Sequence, residues 1–386
     1  LQAVTRLMAM KSKYNFSNNC YNDIVKLIID LIPANHKMPK DLYHYKKIVS
    51  GLEMNYQKID VCEDNCMLFW KNHEKTTHCA YCGKSRYVIV IDEDGGEVTT
   101  KVPIKQLRYM PITPRIKRLF LNEETAKQMR WHKEGDRQGQ DPDIMVHPSD
   151  GKAWQTLDQF DENFARDPRS VRLGLSTDGF TPYNTSSTSY SCWPVFMMPY
   201  NLAPSKCMKE GVMFLALVIP GPKHLGSKIN VFMQPLIEEL KVLWQGVQAY
   251  DSHLQRQFNL RAAYLWSIHD LPAYGIWSGW CVHGTLCCPI CMGDSEAYRL
   301  EHGKKVSFFD VHRWLLPSTH PFRNDTHSFR KGMKVRNGPP KRQMGEDIIR
   351  QHRDLKPAAG GGFEGYGKEH NWTHIFFLWE LPYAKH

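Results

Sequence analysis

Two aspartates each close an apolar, β-prone run. Asp178 lies within Arg172–Tyr183 (RLGLSTDGFTPY) and Asp270 within Ala262–Gly275 (AAYLWSIHDLPAYG). Carboxylate oxygens are hard ligands for small divalent cations. Two of them at adjacent strand ends can hold such a cation against a phosphodiester. A plainer use is also open to each, because Asp before Gly favours a turn and Asp caps helices. The order of the elements that carry the pair therefore has to decide between the two uses.

A second kind of chemistry is written in sulfur. Cys62-Glu-Asp-Asn-Cys66 and Cys79-Ala-Tyr-Cys82 are two short knuckles, and Gly83 after the second allows a tight turn. Four thiolates at this spacing can close a tetrahedron around zinc, a structural site with no open position; buried free thiols are the alternative. Farther on, Cys288-Pro-Ile-Cys291 is followed by His312 and His320. A Cys2His2 zinc site is the expectation there, with Cys281, Cys287, His283 and His302 as competing ligands. Clusters of this kind fit a reducing compartment better than a secreted disulfide framework does.

The elements that must position these groups can be read from periodicity. Between the two aspartate-bearing runs lie two more strand-like runs, Cys192–Pro199 and Val212–Pro220. An amphipathic helix follows, with Phe232, Leu236, Leu240, Leu243 and Trp244 for burial and Glu238, Glu239 and Lys241 toward solvent. The order β-β-β-α-β, with one carboxylate after the first strand and one after the fourth, is the plan of a ribonuclease-H-like core. The expected fold is thus α/β (α+β), a mixed sheet with a zinc-bearing insertion. Strands one and four should be neighbours, with strands two and three on the far side of strand one.

Ahead of this core the sequence predicts a helix pair, Asn19–Ile32 and about Leu42–Leu52, in a helical segment 1–55. A zinc-ribbon-like module spans 56–110, and a basic helix with a linker spans 111–165. The core covers 166–280, and 281–386 holds the zinc-bearing basic insertion with an incomplete C-terminal part of the core.

Lysine and arginine number 50 against 40 aspartates and glutamates, a formal charge of +10 that favours polyanionic partners. Arg115, Lys117, Arg118 and Arg130 lie on the Pro111–His132 stretch. Lys331, Arg336, Lys341 and Arg342 lie in the basic, apolar-poor stretch Arg323–Lys356. Both groups are candidate phosphate contacts, and a solvated face is the competing reading for each. No apolar run of about 18 residues occurs, so no membrane partner is expected. The first residues lack the apolar core of a secretory signal, and a start at Leu1 suggests an excerpt of a longer product.

Several blocks together resemble one family. NCYNDIVKLI, the first zinc knuckles with CMLFW (Cys66–Trp70), MRWH, LGLSTDGFTPY, WSIHDLPAYG with SGW, CCPIC, and HNW with WELPY occur in the order seen in transposases of plant CACTA (En/Spm-type) DNA transposons. The resemblance runs across nearly the whole chain. It implies a DDE/D-type enzyme with a ribonuclease-H-like core that uses Mg2+ or Mn2+ to cleave and rejoin element ends. Asp178 and Asp270 match the first two acidic positions. The resemblance further implies the nucleus as the place of action and transposon-end DNA as partner. Self-association and a second element-encoded DNA-binding protein are also expected. Two features depart from the family pattern: Cys287 stands beside Cys288, and the third acid is expected after WELPY, beyond His386, with Glu380 the candidate inside the chain. The alternative is a non-catalytic, zinc-stabilised DNA-binding protein derived from a transposase. A cellular nuclease of the same fold would share the core but not the family blocks.

Overall fold

The computed structural model describes residues 2–50, 56–135, 141, 144–181, 190–209, 211–221, 225–308, 312–329, 332–341, 343–359, 361–375 and 377–384. The chain begins with three helices, α1 (Gln2–Tyr14), α2 (Asn18–Leu31) and α3 (Leu42–Ser50). Ser17 starts α2 by accepting the Cys20 N–H at 3.1 Å. The apolar stripe of α2 buries Tyr21 and Val25 against Leu7, Leu42 and Tyr45, so the expected helix pair has a small core of its own.

Five strands follow: β1 (Gln57–Val61), β2 (Leu68–Phe69), β3 (Tyr87–Ile91), β4 (Glu97–Pro103) and β5 (Gln106–Tyr109). Next come the helices α4 (Thr113–Leu121), α5 (Glu123–Gln128), α6 (Trp131–Glu134), α7 (Lys152–Phe160) and α8 (Glu162–Arg166). The sequence led us to expect one basic helix over Pro111–His132, but it is broken at Asn122. That side chain accepts the Thr125 N–H at 3.0 Å and starts α5 anew. Asp161 does the same for α8, accepting the Phe164 N–H at 2.8 Å.

The helices and strands that follow are β6 (Val171–Thr177), β7 (Trp193–Pro199), β8 (Phe214–Ile219), α9 (Ile229–Gln245), β9 (Val247–Asp251), β10 (Arg256–Leu260), β11 (Ala262–Ile268), α10 (Leu271–Ser278), β12 (Tyr298–Arg299), β13 (Val306–Ser307) and α11 (Gly345–Asp354). Seven strands form one mixed sheet in the order β11-β6-β7-β8-β5-β1-β2. β11 runs parallel to β6, from Ala262 opposite Val171 to Ile268 opposite Ser176. β7 pairs antiparallel with β6 on its other side, and β8 with β7. The first and fourth strands of the core are therefore neighbours, and the second and third lie beyond the first. The sheet continues past β8 into β5 and β1, so the segment that carries the four-cysteine cluster belongs to the same sheet.

Burial explains the strand composition. β6 is buried along nearly its whole length, as a central strand covered on both faces must be. One face carries the main core, where Val195 and Met197 of β7 share a buried cluster with Phe232, Leu236, Leu240 and Leu243 of α9. On the other face Met198 and Tyr200 pack with Trp154 of α7. A Cβ on Gly174 of β6 would run into the Tyr200 ring, which explains a glycine in the middle of an otherwise bulky strand. β11 is the edge strand, and the Tyr383 hydroxyl accepts its Tyr264 N–H at 2.7 Å. No helix among the described residues is long and apolar enough to cross a membrane.

Candidate functional site

Because β6 and β11 are parallel neighbours, both end at the same edge of the sheet. The register that places Ile268 opposite Ser176 reaches Asp270 and Asp178 after two further residues on each strand. Both aspartates are exposed there. Asp178 Oδ1 accepts the Gly179 N–H at 2.7 Å. Asp270 Oδ1 accepts the Ala273 N–H at 2.9 Å and caps α10, with Pro272 in its first turn. The cap anticipated from sequence is formed, whereas the expected turn at Asp178-Gly179 is not: the chain stays extended there and Phe180 pairs antiparallel with Cys192.

His269 sits between these two chain ends. Its Nδ1 lies 3.2 Å from the Thr177 carbonyl oxygen, one residue before Asp178. Its ring packs on Trp277 of α10 with centroids 5.0 Å apart. Burial lowers its pKa, while the Thr177 carbonyl and the charges of Asp270 and Asp178 act in the opposite sense. Sequence reasoning passed over this residue, although its place next to Asp270 was a usable signal.

The sulfur of Cys62, Cys66, Cys79 and Cys82 converges, with all four Sγ atoms within 4.8 Å of one another. Cys62 and Cys82 approach to 3.4 Å. Gly83 has φ +73°, the left-handed turn expected after the second knuckle. Burial pushes the Cys62 thiol up to about 12. Cys79 is lowered despite burial, because the N–H groups of Cys82 and Tyr81 point at its sulfur. Four soft donors at the corners of so small a space fit a tetrahedral cation, and the cluster can hold zinc.

In the second cluster Cys288, Cys291 and His312 come together within the same 4.8 Å limit. The His312 Nε2 is buried without a hydrogen-bond partner, as a free ligand atom would be. His320 does not join this group. Its Nδ1 accepts the Phe322 N–H at 3.2 Å and starts the short turn Pro321–Arg323. The pattern Cys-x2-Cys with two later histidines therefore named one ligand too many. Cys281, Cys287, His283 and His302 are also outside the group, although Cys287 senses the charges of Cys288 and Cys281.

The candidate phosphate contacts divide. Arg130 is drawn inward: its Nε donates to Glu134 at 2.7 Å, and its guanidinium lies 4.0 Å from the buried carboxylate of Asp251. Arg115 donates to the Pro111 carbonyl and sits half-buried near Glu239 and Tyr109. These two are structural, because each satisfies groups of its own domain. Lys117 is half-buried, and Arg118, Arg336 and Lys341 are exposed. Lys331 and Arg342 lie outside the described residues. Glu380, the acid considered for a third position, is bound 3.0 Å from Lys241 of α9.

Two arginines, Arg323 at the start of the basic stretch and Arg313 ahead of it, have a role the sequence did not disclose. Arg313 donates to the carbonyls of Phe322, Asp325 and Met333 and lies over the Phe329 ring. Arg323 donates to those of Trp314, Leu316, Val335 and Asn337. Both are buried, so this loop is built around guanidinium groups rather than an apolar core.

No curated protein matches the chain. The family described as transposase family tnp2 matches residues 142–355, a stretch that contains both aspartates, the second cysteine pair and His312. That match covers more than half of the chain, which belongs to this transposase family.

Proposed function

We propose that the chain is the DNA-processing part of a CACTA (En/Spm-type) transposase, with a ribonuclease-H-like core that acts on element ends. The single observation that carries this reading is the parallel pairing of β6 and β11, which brings Asp178 and Asp270 to one sheet edge. Strand order, parallel fourth strand and covering helix all agree with that core. The two carboxylates would hold Mg2+ or Mn2+, which supplies activation of an attacking water or 3′-hydroxyl and stabilisation of the leaving oxygen. The chain's own part is to orient that cation: Asp178 through the Gly179 N–H that its Oδ1 accepts, Asp270 through its helix cap. Two like charges at one sheet edge repel, so a cation between them would be favoured.

The cysteine clusters have a different task. Cys62, Cys66, Cys79 and Cys82 would hold one structural zinc. Cys288, Cys291 and His312 would hold a second, which ties the insertion together. The exposed Arg336 and Lys341 would meet DNA phosphates. The nucleus as location, self-association and a second element-encoded DNA-binding protein belong to the same reading.

Manganese titration followed by electron paramagnetic resonance tests it. The protein should bind Mn2+ weakly in addition to zinc, and Asp178→Asn or Asp270→Asn should remove that binding. Equal Mn2+ binding in all three proteins would defeat the catalytic reading and leave a zinc-stabilised DNA-binding protein.

A further inference from the structure

The backbone ladder between β6 and β11 ends at Ser176 and Ile268, before either aspartate is reached. Beyond that pair the two chains part, Asp178 into an extended stretch that leads Phe180 to pair with Cys192, and Asp270 into α10. A side-chain contact still joins them, the imidazole of His269 at 3.2 Å from the Thr177 carbonyl oxygen. A carbonyl only accepts hydrogen bonds, so Nδ1 carries the proton and Nε2 the lone pair. That Nε2 is buried and has no partner. The ring itself packs on Trp277 at a tilt of 41°, so its orientation is set from the α10 side as well.

We infer that His269 is a positioning residue: its side chain forms an extra rung, past the end of the ladder, that fixes the spacing of Asp178 and Asp270. The need for such a rung is electrostatic. Two carboxylates drive their chain ends apart when no cation is bound, and a site that spreads must be drawn together again on binding. A hydrogen bond placed one residue before each acid keeps the spacing in the empty state. The inference rests on the metal-binding reading of the two aspartates, but it concerns a bond that can be observed separately.

The competing role for this ring is simple packing on Trp277, and two substitutions separate the roles. In asparagine the amide nitrogen hangs from Cγ as Nδ1 does in histidine, so His269→Asn keeps the donor and loses the ring. His269→Leu keeps the bulk and loses the donor. Mn2+ affinity should stay within about threefold in His269→Asn and fall about tenfold or more in His269→Leu, the range typical of groups that orient metal ligands. Leucine equal to or better than asparagine, or equal losses in both, would overturn the inference. Nitrogen-15 spectra of histidine-labelled wild-type protein give an independent reading should either variant fail to fold. His269 should show the Nδ1-protonated tautomer, and an Nε2-protonated ring would overturn the rung. If Asp178→Asn and Asp270→Asn leave Mn2+ binding unchanged, the metal reading fails, while the tautomer still decides the fate of the bond.

Discussion

Glu239, on the sheet-covering helix α9, accepts the Thr113 N–H at 2.8 Å and so closes the N-terminus of α4. The same carboxylate accepts the Ile112 N–H at 2.9 Å and the Tyr109 hydroxyl. One side chain thus joins β5, α4 and α9. The first helical N–H groups have no partner within their own helix, and an anion there also meets the positive end of the helix dipole. The sequence placed Glu239 on the solvent face of α9; its acceptor oxygens are instead spent on the neighbouring helix.

Replacing that carboxylate should therefore cost stability. Glu239→Ala leaves several inward-facing donors unsatisfied and should lower unfolding free energy by about 2–4 kcal/mol. Glu239→Gln keeps one acceptor and should lose about half as much. Urea unfolding at neutral pH measures both, and a Glu239→Ala protein as stable as wild type would show that water replaces the cap at no cost.

Zinc content should follow the clusters as the structure draws them. Elemental analysis should give about two zinc ions per chain. Cys66→Ser should lose one and His312→Ala the other, while His320→Ala should lose neither. Loss of a zinc ion in the His320→Ala protein would restore the Cys2His2 set expected from sequence. Chelation should loosen the β1–β2 region, since closed cysteine sites contribute folding energy directly.

Salt dependence of DNA binding separates the exposed cations from the internal ones. Arg336→Glu and Lys341→Glu should each reduce the slope of log affinity against log salt by about 0.9 or more. Arg130→Ala should leave that slope unchanged and lower the melting temperature, because its guanidinium serves Glu134 and Asp251. A reduced slope for Arg130→Ala would place that residue on the DNA after all.

Acid should destabilise the fold through His132. Burial and the neighbouring Arg172 charge lower its pKa to about 3, against about 6.5 in an unfolded chain. Between those values the unfolded state binds the extra proton, so stability is full above about pH 6.5 and falls as pH drops toward 3. The slope is about 1.4 kcal/mol per pH unit for this one group. His132→Gln should flatten the loss between pH 6.5 and 4.5, read from urea midpoints. Parallel pH curves for the two proteins would show that His132 is not the group responsible.

The order of the core strands was legible because each is a short apolar run with a clear end, and two of those ends are the aspartates. The placement of β11 beside β6 followed from that order, and the structure adds that the two run parallel. Other parts were hidden for physical reasons. The β9–β10 hairpin was not anticipated, although Val247–Asp251 and Arg256–Leu260 alternate in burial around a turn set by Asp251, whose Oδ1 accepts the His253 and Leu254 N–H groups. Arg313 and Arg323 look like any solvated cation in sequence. Only the backbone that folds back around them shows that they are buried. His320 has the spacing of a ligand, and a local hydrogen bond to Phe322 N–H takes it instead.

The strand order also sets a timetable for synthesis. β5 and β1 come early in the chain, yet β5 joins the later core strands by pairing with β8, at Arg108 and Val218. Until Phe214–Ile219 has left the ribosome, β5 has an unpaired edge. Such an edge is a template for wrong pairing with another nascent chain. The four cysteines and the turn at Gly83 are all made well before Phe214, so the cluster can close long before that edge is covered. Early metal capture would then hold β1 and β2 in register while they wait for their neighbour, making the cluster a guard on the growing chain as well as a support for the finished one.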